Sequence, residues 1–404
     1  MKKLFSVCFL VVSVLVQSQN IKTIQLRPLQ ENNFSSIVPL GTTLELSFDD
    51  LEADSKNYQY KIEHMTYDWK PSSLLSNQYL NGFQQNEILN VNNSFNTLQN
   101  YTHYSVRIPN QNTIITKSGN YLLSVLDEYD DIVFTRRFTL YENKATVGVV
   151  VNRSRNAKTL NQQQTVSFRI NYPELQINNP QQEIKVAVLQ NEIWQTVKTD
   201  IQPQFFKQNQ LIYNYTDKLN FWGGNEYLFF DTKVVRNPSL NIRFVEKGDI
   251  FNNYLYPFEN KEVKKYTYNP DINGQFIVRT IEASNNETEA DYANMHFSLE
   301  VLEPFNNKEV YVYGAFNNFK LIEENRMVYD EKNYTYNTNF SLKQGFYNYT
   351  FVTKNEDGNI ENSDIRGDFS STENQYTVLV YYRAFGGLFD RVIGVGNNFF
   401  EGER

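Results

Sequence analysis

Short runs in which apolar and polar residues alternate recur along most of this chain, and they predict strands with one face turned inward. Thr43–Phe48, Tyr58–Ile62, Tyr121–Leu126 and Val133–Phe138 show the pattern first, with the period of two that sends successive side chains to opposite faces of a sheet. Polar connections separate these runs. Ser118–Asn120 reads as a turn, and Asp127–Asp131, flanked by strand patterns, reads as a hairpin loop. No convincing amphipathic stretch of helical period appears, so the pattern predicts an all-β chain of tandem immunoglobulin-like sandwiches.

The longest predominantly apolar run lies at the start. Lys2 and Lys3 precede Leu4–Leu10, which continues through Val16, and Val16-Gln17-Ser18 supplies small residues at positions minus three and minus one of a cleavage site. Residues 1–18 are therefore expected to be a secretory signal peptide, with the mature protein beginning at Gln19. Cys8, the only cysteine, lies inside the apolar core rather than after a small-residue box, so a lipid anchor is not expected. No later segment holds the roughly 18 consecutive apolar residues of a spanning helix, and no direct membrane insertion is expected.

Polar interruptions of the strand rhythm divide the remainder into three expected units. An N-terminal sandwich covers 19–142. A second, 143–265, opens at Thr146–Val151 and includes Thr165–Ile170, Ile184–Leu189 and Tyr227–Phe230. A C-terminal unit, 266–404, includes Gln275–Ile281, Met295–Leu299, Val310–Tyr313, Tyr347–Val352 and Tyr376–Tyr382, followed by the glycine-rich apolar tail from Ala384. Each is the size of one sandwich domain.

Composition narrows function mainly by exclusion. With 28 Tyr and 30 Phe the chain favours sheets. Its single cysteine falls within the signal, which removes disulfides, thiolate metal sites and cysteine nucleophiles from the mature protein. A formal net charge of −8 argues against nucleic acid. His64, His103 and His296 are scattered without metal-ligand spacing. His64 is expected in a hydrogen-bonded cluster near Tyr67 and Trp69. The acidic run Asn355–Asn359, with Glu361 and Asp364, lacks EF-hand spacing and reads as a hairpin turn; Arg366-Gly-Asp368 reads as a turn. No nucleophile elbow, phosphate loop or dinucleotide fingerprint is present. No catalytic, cofactor or metal residues are assigned, and neither an enzyme nor a small-molecule ligand is expected.

Two resemblances add to this reading. Val310–Phe319, with its Gly314-Ala-Phe-Asn-Asn-Phe319 ending, and Leu342–Phe351 resemble the early-Set sandwich of glycogen-binding modules. Phe319 stands where such modules carry tryptophan, a smaller platform for a sugar face. This supports, as the alternative function, a periplasmic carbohydrate-binding β-sandwich protein. More broadly, His64–Trp69, Tyr79–Phe83, Tyr101–Tyr104, Ser118–Tyr121, Arg136–Phe138, Gln190–Trp194, Phe221–Glu226, Asp271–Phe276, Asp291-Tyr292, Leu342–Gly345, Thr372–Asn374 and Tyr381–Arg383 together resemble the plug protein family of the type IX secretion system of Bacteroidota. That resemblance implies a plug at the periplasmic face of the outer membrane. It would bind the periplasmic mouth of the giant outer-membrane translocon barrel and seal it when the lateral partner subunit is absent. Two loops that join aromatics to polar or glycine positions are the expected partner contacts: Tyr67 and Asp68, and Phe221, Trp222, Gly223, Gly224 and Asn225. Within them Trp222 is the expected contact, while the neighbouring Trp69 is expected in a core.

Overall fold

The computed structural model describes residues 20–400; the expected signal peptide lies outside the described residues. Strands make up 48% of the structure and helix 4%, so the alternation in the sequence is realised as sheet almost throughout. The first sandwich packs Ile21–Pro28, Leu44–Asp50, Thr102–Ile108 and Asn90–Asn93, in that order, against a second sheet. That sheet runs Ile37–Pro39, Ile132–Tyr141, Gly119–Leu126, Gln59–Met65 and Gln85–Glu87. Leu46, Phe48, Ile62, Leu123 and Val125 are buried between them. The expected hairpin at Asp127–Asp131 is present, closed by Asp127 N–H to Asp131 O at 3.1 Å.

The second sandwich differs from the expected boundaries. One sheet orders Thr146–Arg153, Gln163–Asn171, Gln210–Tyr213 and Phe205–Lys207, with Asn220–Trp222 also on Gln163–Asn171. The facing sheet is Ile184–Gln190, Asn374–Tyr382 and Arg391–Phe400. The division at 265/266 therefore does not describe the sheets: the C-terminal strands complete the middle sandwich, and the third unit is inserted within it. Packing supplies the reason. Val186, Val188, Val378 and Val380 face Phe168 and Ile170 inside the sandwich. Ala187, Leu189, Leu379 and Tyr381 cover Ile37 and Tyr141 of the first sandwich from the other face. A strand buried on both faces needs an unbroken apolar run, and Val186–Leu189 is one. The glycine-rich tail packs back as well. Gly394 and Gly396 approach Ala145 and Val147 so closely that a Cβ on either would lie 2.5 Å from a carbonyl oxygen.

The inserted unit is an eleven-stranded sheet whose main path runs Leu228–Asp231, Gly345–Asn355, Lys308–Tyr313, Arg326–Asp330, Thr335–Lys343, Tyr292–Glu300, Phe251–Leu255 and Ile242–Lys247. Phe230, Phe297, Val310, Val312, Tyr347 and Phe351 fill it. Tyr227–Phe230, expected in the second unit, is the first strand of this one.

Candidate functional site

The side chains that organise this molecule lie where the sandwiches meet. At the end of Leu44–Asp50, Asp49 points out of its own sheet toward the third unit and is fully buried. Its Oδ1 is 2.6 Å from His103 Nδ1. Its Oδ2 accepts hydrogen bonds from Tyr292 Oη at 2.6 Å and Lys343 Nζ at 2.7 Å. Lys343, only 1% exposed, also donates to the Glu287 carbonyl and stands 4.1 Å from the Tyr101 ring centroid. Burial by itself would raise the Asp49 carboxyl, but the Lys343 ammonium and His103 outweigh it and hold the group below its ordinary value. Burial pulls Lys343 down from its ordinary value, with Asp49 opposing. The carboxylate is the firmer of the two, because three donors converge on it. The His103–Asp49 pair has the shape of a catalytic orienting pair, yet both residues are enclosed. The cluster fastens the first sandwich to the third.

A second seam joins the first sandwich to the middle one, and Tyr67 of one predicted contact loop lies in it while Asp68 stays exposed. Tyr67 N–H donates to Asp390 Oδ2 at 2.8 Å and its hydroxyl to Asp200 Oδ1 at 3.2 Å. Asp68 accepts from Thr66 Oγ1 at 2.5 Å and pairs with Lys70 at 2.7 Å. Trp69, expected in a core, is half-buried in the seam, edge-on to Trp194 at 4.7 Å and beneath the Arg137 guanidinium at 4.5 Å. Nearby, Tyr381 Oη donates to the buried Asn120 Oδ1 at 3.0 Å. His64 is not in the hydrogen-bonded cluster expected of it. It is 3% exposed among Tyr121, Phe389 and Tyr79, its ring nitrogens lack side-chain partners, and burial lowers its pKa to about 4, so it is neutral.

The other predicted loop sits where the chain leaves the middle sandwich for the inserted one. Phe221 is core, packed on Tyr376 at 5.3 Å. Gly223 has no room for a side chain, since a Cβ would come within 1.9 Å of the Phe369 carbonyl oxygen. Gly224 (φ +66°) donates its N–H to Asp368 Oδ1 at 3.0 Å, and Asn225 Nδ2 donates to the Arg366 carbonyl at 2.9 Å. The outgoing and returning chain segments are thus clamped together, which is the use made of Arg366-Gly-Asp368. Of this loop only Trp222, 52% exposed, presents its side chain to solvent. No hydrogen bond, ion pair or ring contact joins the two predicted loops to each other among the described residues.

The remaining candidates resolve into structure. The acidic run is a hairpin turn, with Gly358 N–H to Asn355 O at 2.9 Å, and Lys308 bridges Glu361 and Asp364 at 2.6 and 2.7 Å. Asp50, Glu52 and Asp54 lie close enough together for a cation, but the Lys56 ammonium stands among them. Phe319 is 7% exposed and packs 5.3 Å from Tyr313, which leaves no open face for a sugar to stack on. Sequence reasoning missed the Asp49 cluster. Its only local signal is a charged residue ending an otherwise alternating strand.

Comparison with known proteins bears on the whole chain. The family model for the type 9 secretion system plug protein 1st domain matches residues 21–142, a span that contains every strand of the first sandwich. The crystal structure of a hypothetical protein from Parabacteroides merdae superposes with a TM-score of 0.90 at 31% identity, over 95% of this chain and 98% of that one. A type II cohesin dyad from the adaptor ScaA scaffoldin of Acetivibrio cellulolyticus aligns over 84% of this chain and 95% of that one at 9% identity, with a TM-score of 0.16, too low to bear on the fold. No curated protein matches.

Proposed function

The chain belongs to the type 9 secretion system plug family, and from that premise we propose that it is a periplasmic plug, exported through its N-terminal signal, that binds the periplasmic mouth of the outer-membrane translocon barrel. It seals the pore when the lateral partner subunit is absent, and it acts by occupying space rather than by catalysis. The observation that carries this reading is the Asp49–Lys343 cluster, which ties the family-matched sandwich to the inserted one. A plug must resist deformation, and these buried charge-assisted bonds, together with the Tyr67–Asp390 and Tyr381–Asn120 bonds to the middle sandwich, turn three jointed sandwiches into one obstructing body. The three histidines support a non-catalytic role. His103 is enclosed by Asp49, His64 by aromatic rings, and His296 is stacked on Tyr254 at 4.1 Å. Trp222 and Asp68 are the predicted contacts whose side chains are exposed and available to the barrel.

The test is affinity purification of the tagged protein from its own envelope, with and without the lateral partner subunit. The barrel should co-purify, in larger amount when the partner is deleted, and Trp222→Ala should reduce it. Cells lacking both plug and partner should become sensitive to vancomycin while either single deletion stays nearly resistant. Failure to recover the barrel, or a double deletion as resistant as wild type with the barrel still made, refutes plugging.

A further inference from the structure

In a chain with eight more formal negative charges than positive ones, an uncompensated group of cations is conspicuous, and one lines the cleft where all three sandwiches meet. This cavity, about 470 Å³, takes Arg27, Arg136 and Arg137 from the first sandwich, Glu192 and Trp194 from the middle one, and Phe319 and Lys320 from the inserted one. Its walls are tied across the seams by Gln25 Nε2 to Phe276 O at 3.3 Å and Gln195 Nε2 to Asn318 O at 3.0 Å. None of the four basic side chains has a carboxylate within ion-pair distance among the described residues. Arg136 donates to its neighbour's carbonyl, Thr135 O, at 2.9 Å and lies 5.5 Å from the Phe134 ring centroid. Arg137 rests on Trp69. Arg27 has only the longer-range fields of Glu45 and Glu287.

The one acid in the lining does not neutralise them. Glu192 Oε1 accepts from Ser35 Oγ at 2.8 Å, and burial pushes the carboxyl up to about 7. Burial, and after it the charges of Arg136 and Arg137, lowers the Lys320 ammonium. Like charges are therefore held together at a cost that an anion would relieve. Guanidinium forks match the paired oxygens of carboxylate and phosphate groups. Trp194 provides apolar wall for the body that carries them, and the volume is that of a small-molecule site.

We infer that this central cleft binds a small organic polyanion bearing two or more carboxylate or phosphate groups, held by Arg136, Arg137 and Lys320 together with Arg27. The sequence gives no hint of such a ligand, because the cations come from separate sandwiches. A neutral sugar would leave the repulsion unrelieved, and a nucleic-acid strand exceeds the cavity.

The test is titration calorimetry on the intact mature protein with citrate and with fructose 1,6-bisphosphate, and glucose as the neutral control. We expect saturable micromolar binding of at least one of the two anions and none of glucose. Arg136→Gln should weaken it about tenfold or more, the scale of one lost charge-assisted bond. Arg107→Gln, whose side chain is exposed and paired with Glu45 at 2.8 Å, should not change it. If Arg136→Gln fails to fold, the exposed Lys320→Gln serves in its place. Citrate alone binding identifies a carboxylate ligand, the bisphosphate alone a phosphate ligand. No saturable binding of either anion, equal binding of glucose, or undiminished affinity in the folded variant overturns the inference.

Discussion

Lys343→Met removes the ammonium from the Asp49 cluster while keeping the length of the apolar stem. The side chains concerned are 1% and 0% exposed, so water cannot replace the lost partner. Asp49 is left with His103 and Tyr292 as side-chain donors. Removing one member of a buried ion pair costs about 3–5 kcal/mol. Spread over the unfolding entropy of all described residues melting together, that lowers the midpoint by roughly 4–6 °C; if the first sandwich melts alone, by roughly 12–20 °C. Calorimetric melting measures the drop and distinguishes the two cases by whether one transition moves or a second appears. The pH dependence has a definite sign. Asp49 is depressed in the folded state, so its contribution is present above its unfolded value near 3.8 and lost as pH falls through the lower folded value. The seam should hold at pH 5 and weaken only below about pH 4, and Lys343→Met should blunt that loss. A midpoint shift under about 1 °C, equivalent to less than about 1 kcal/mol on the same scale, would refute the claim that this pair fastens the sandwiches.

Glu192 carries the opposite sign: its carboxyl is raised from 4.5 to about 7 by burial, so its charged form opposes folding. Thermal stability should therefore gain as pH falls from about 7 toward 4.5, and Glu192→Gln, which can still accept from Ser35, should flatten that gain; an unchanged profile rejects the assignment. Gly223→Ala should lower stability by about 1–3 kcal/mol, since its new Cβ meets backbone at 1.9 Å, whereas Gly224→Ala meets nothing nearer than 3.8 Å and carries only the left-handed backbone penalty. Denaturant titration that finds Gly223→Ala neutral contradicts the close approach. Phe319→Trp should create no α-glucan binding by calorimetry, because the ring is packed inward; micromolar binding by the parent that disappears in Phe319→Ala would restore the carbohydrate reading.

What the sequence revealed follows the range of the forces involved. Alternation is local, so Tyr121–Leu126 declares its inward face without reference to any other segment, and the Asp127–Asp131 hairpin is legible from its own residues. The pairing of Ile184–Gln190 with Asn374–Tyr382 is not. Both runs announce a strand buried on two faces, but nothing in either names a partner across the whole inserted unit, and the tail from Ala384 hides its final strand behind glycines that exist for close packing. The two aromatic loops stood out by composition. That composition serves internal seams, where Tyr67 meets Asp390 and Gly224 meets Asp368. Asp49, His103, Tyr292 and Lys343 converge only in three dimensions, so their joint role could not be read from any one segment.

A sandwich written in two instalments imposes an order on the birth of the molecule. A chain delivered N-terminus first can close the first sandwich once Tyr141 has emerged, but the middle one must wait with an open sheet until Asn374–Phe400 arrives. Contacts so distant in sequence are slow to form, and the apolar strand edges exposed meanwhile invite misassociation. The last strands thus act as a completeness check. A chain that stops short of residue 374 keeps one strand of a three-stranded sheet, so any truncated product should be readily cleaved by proteases.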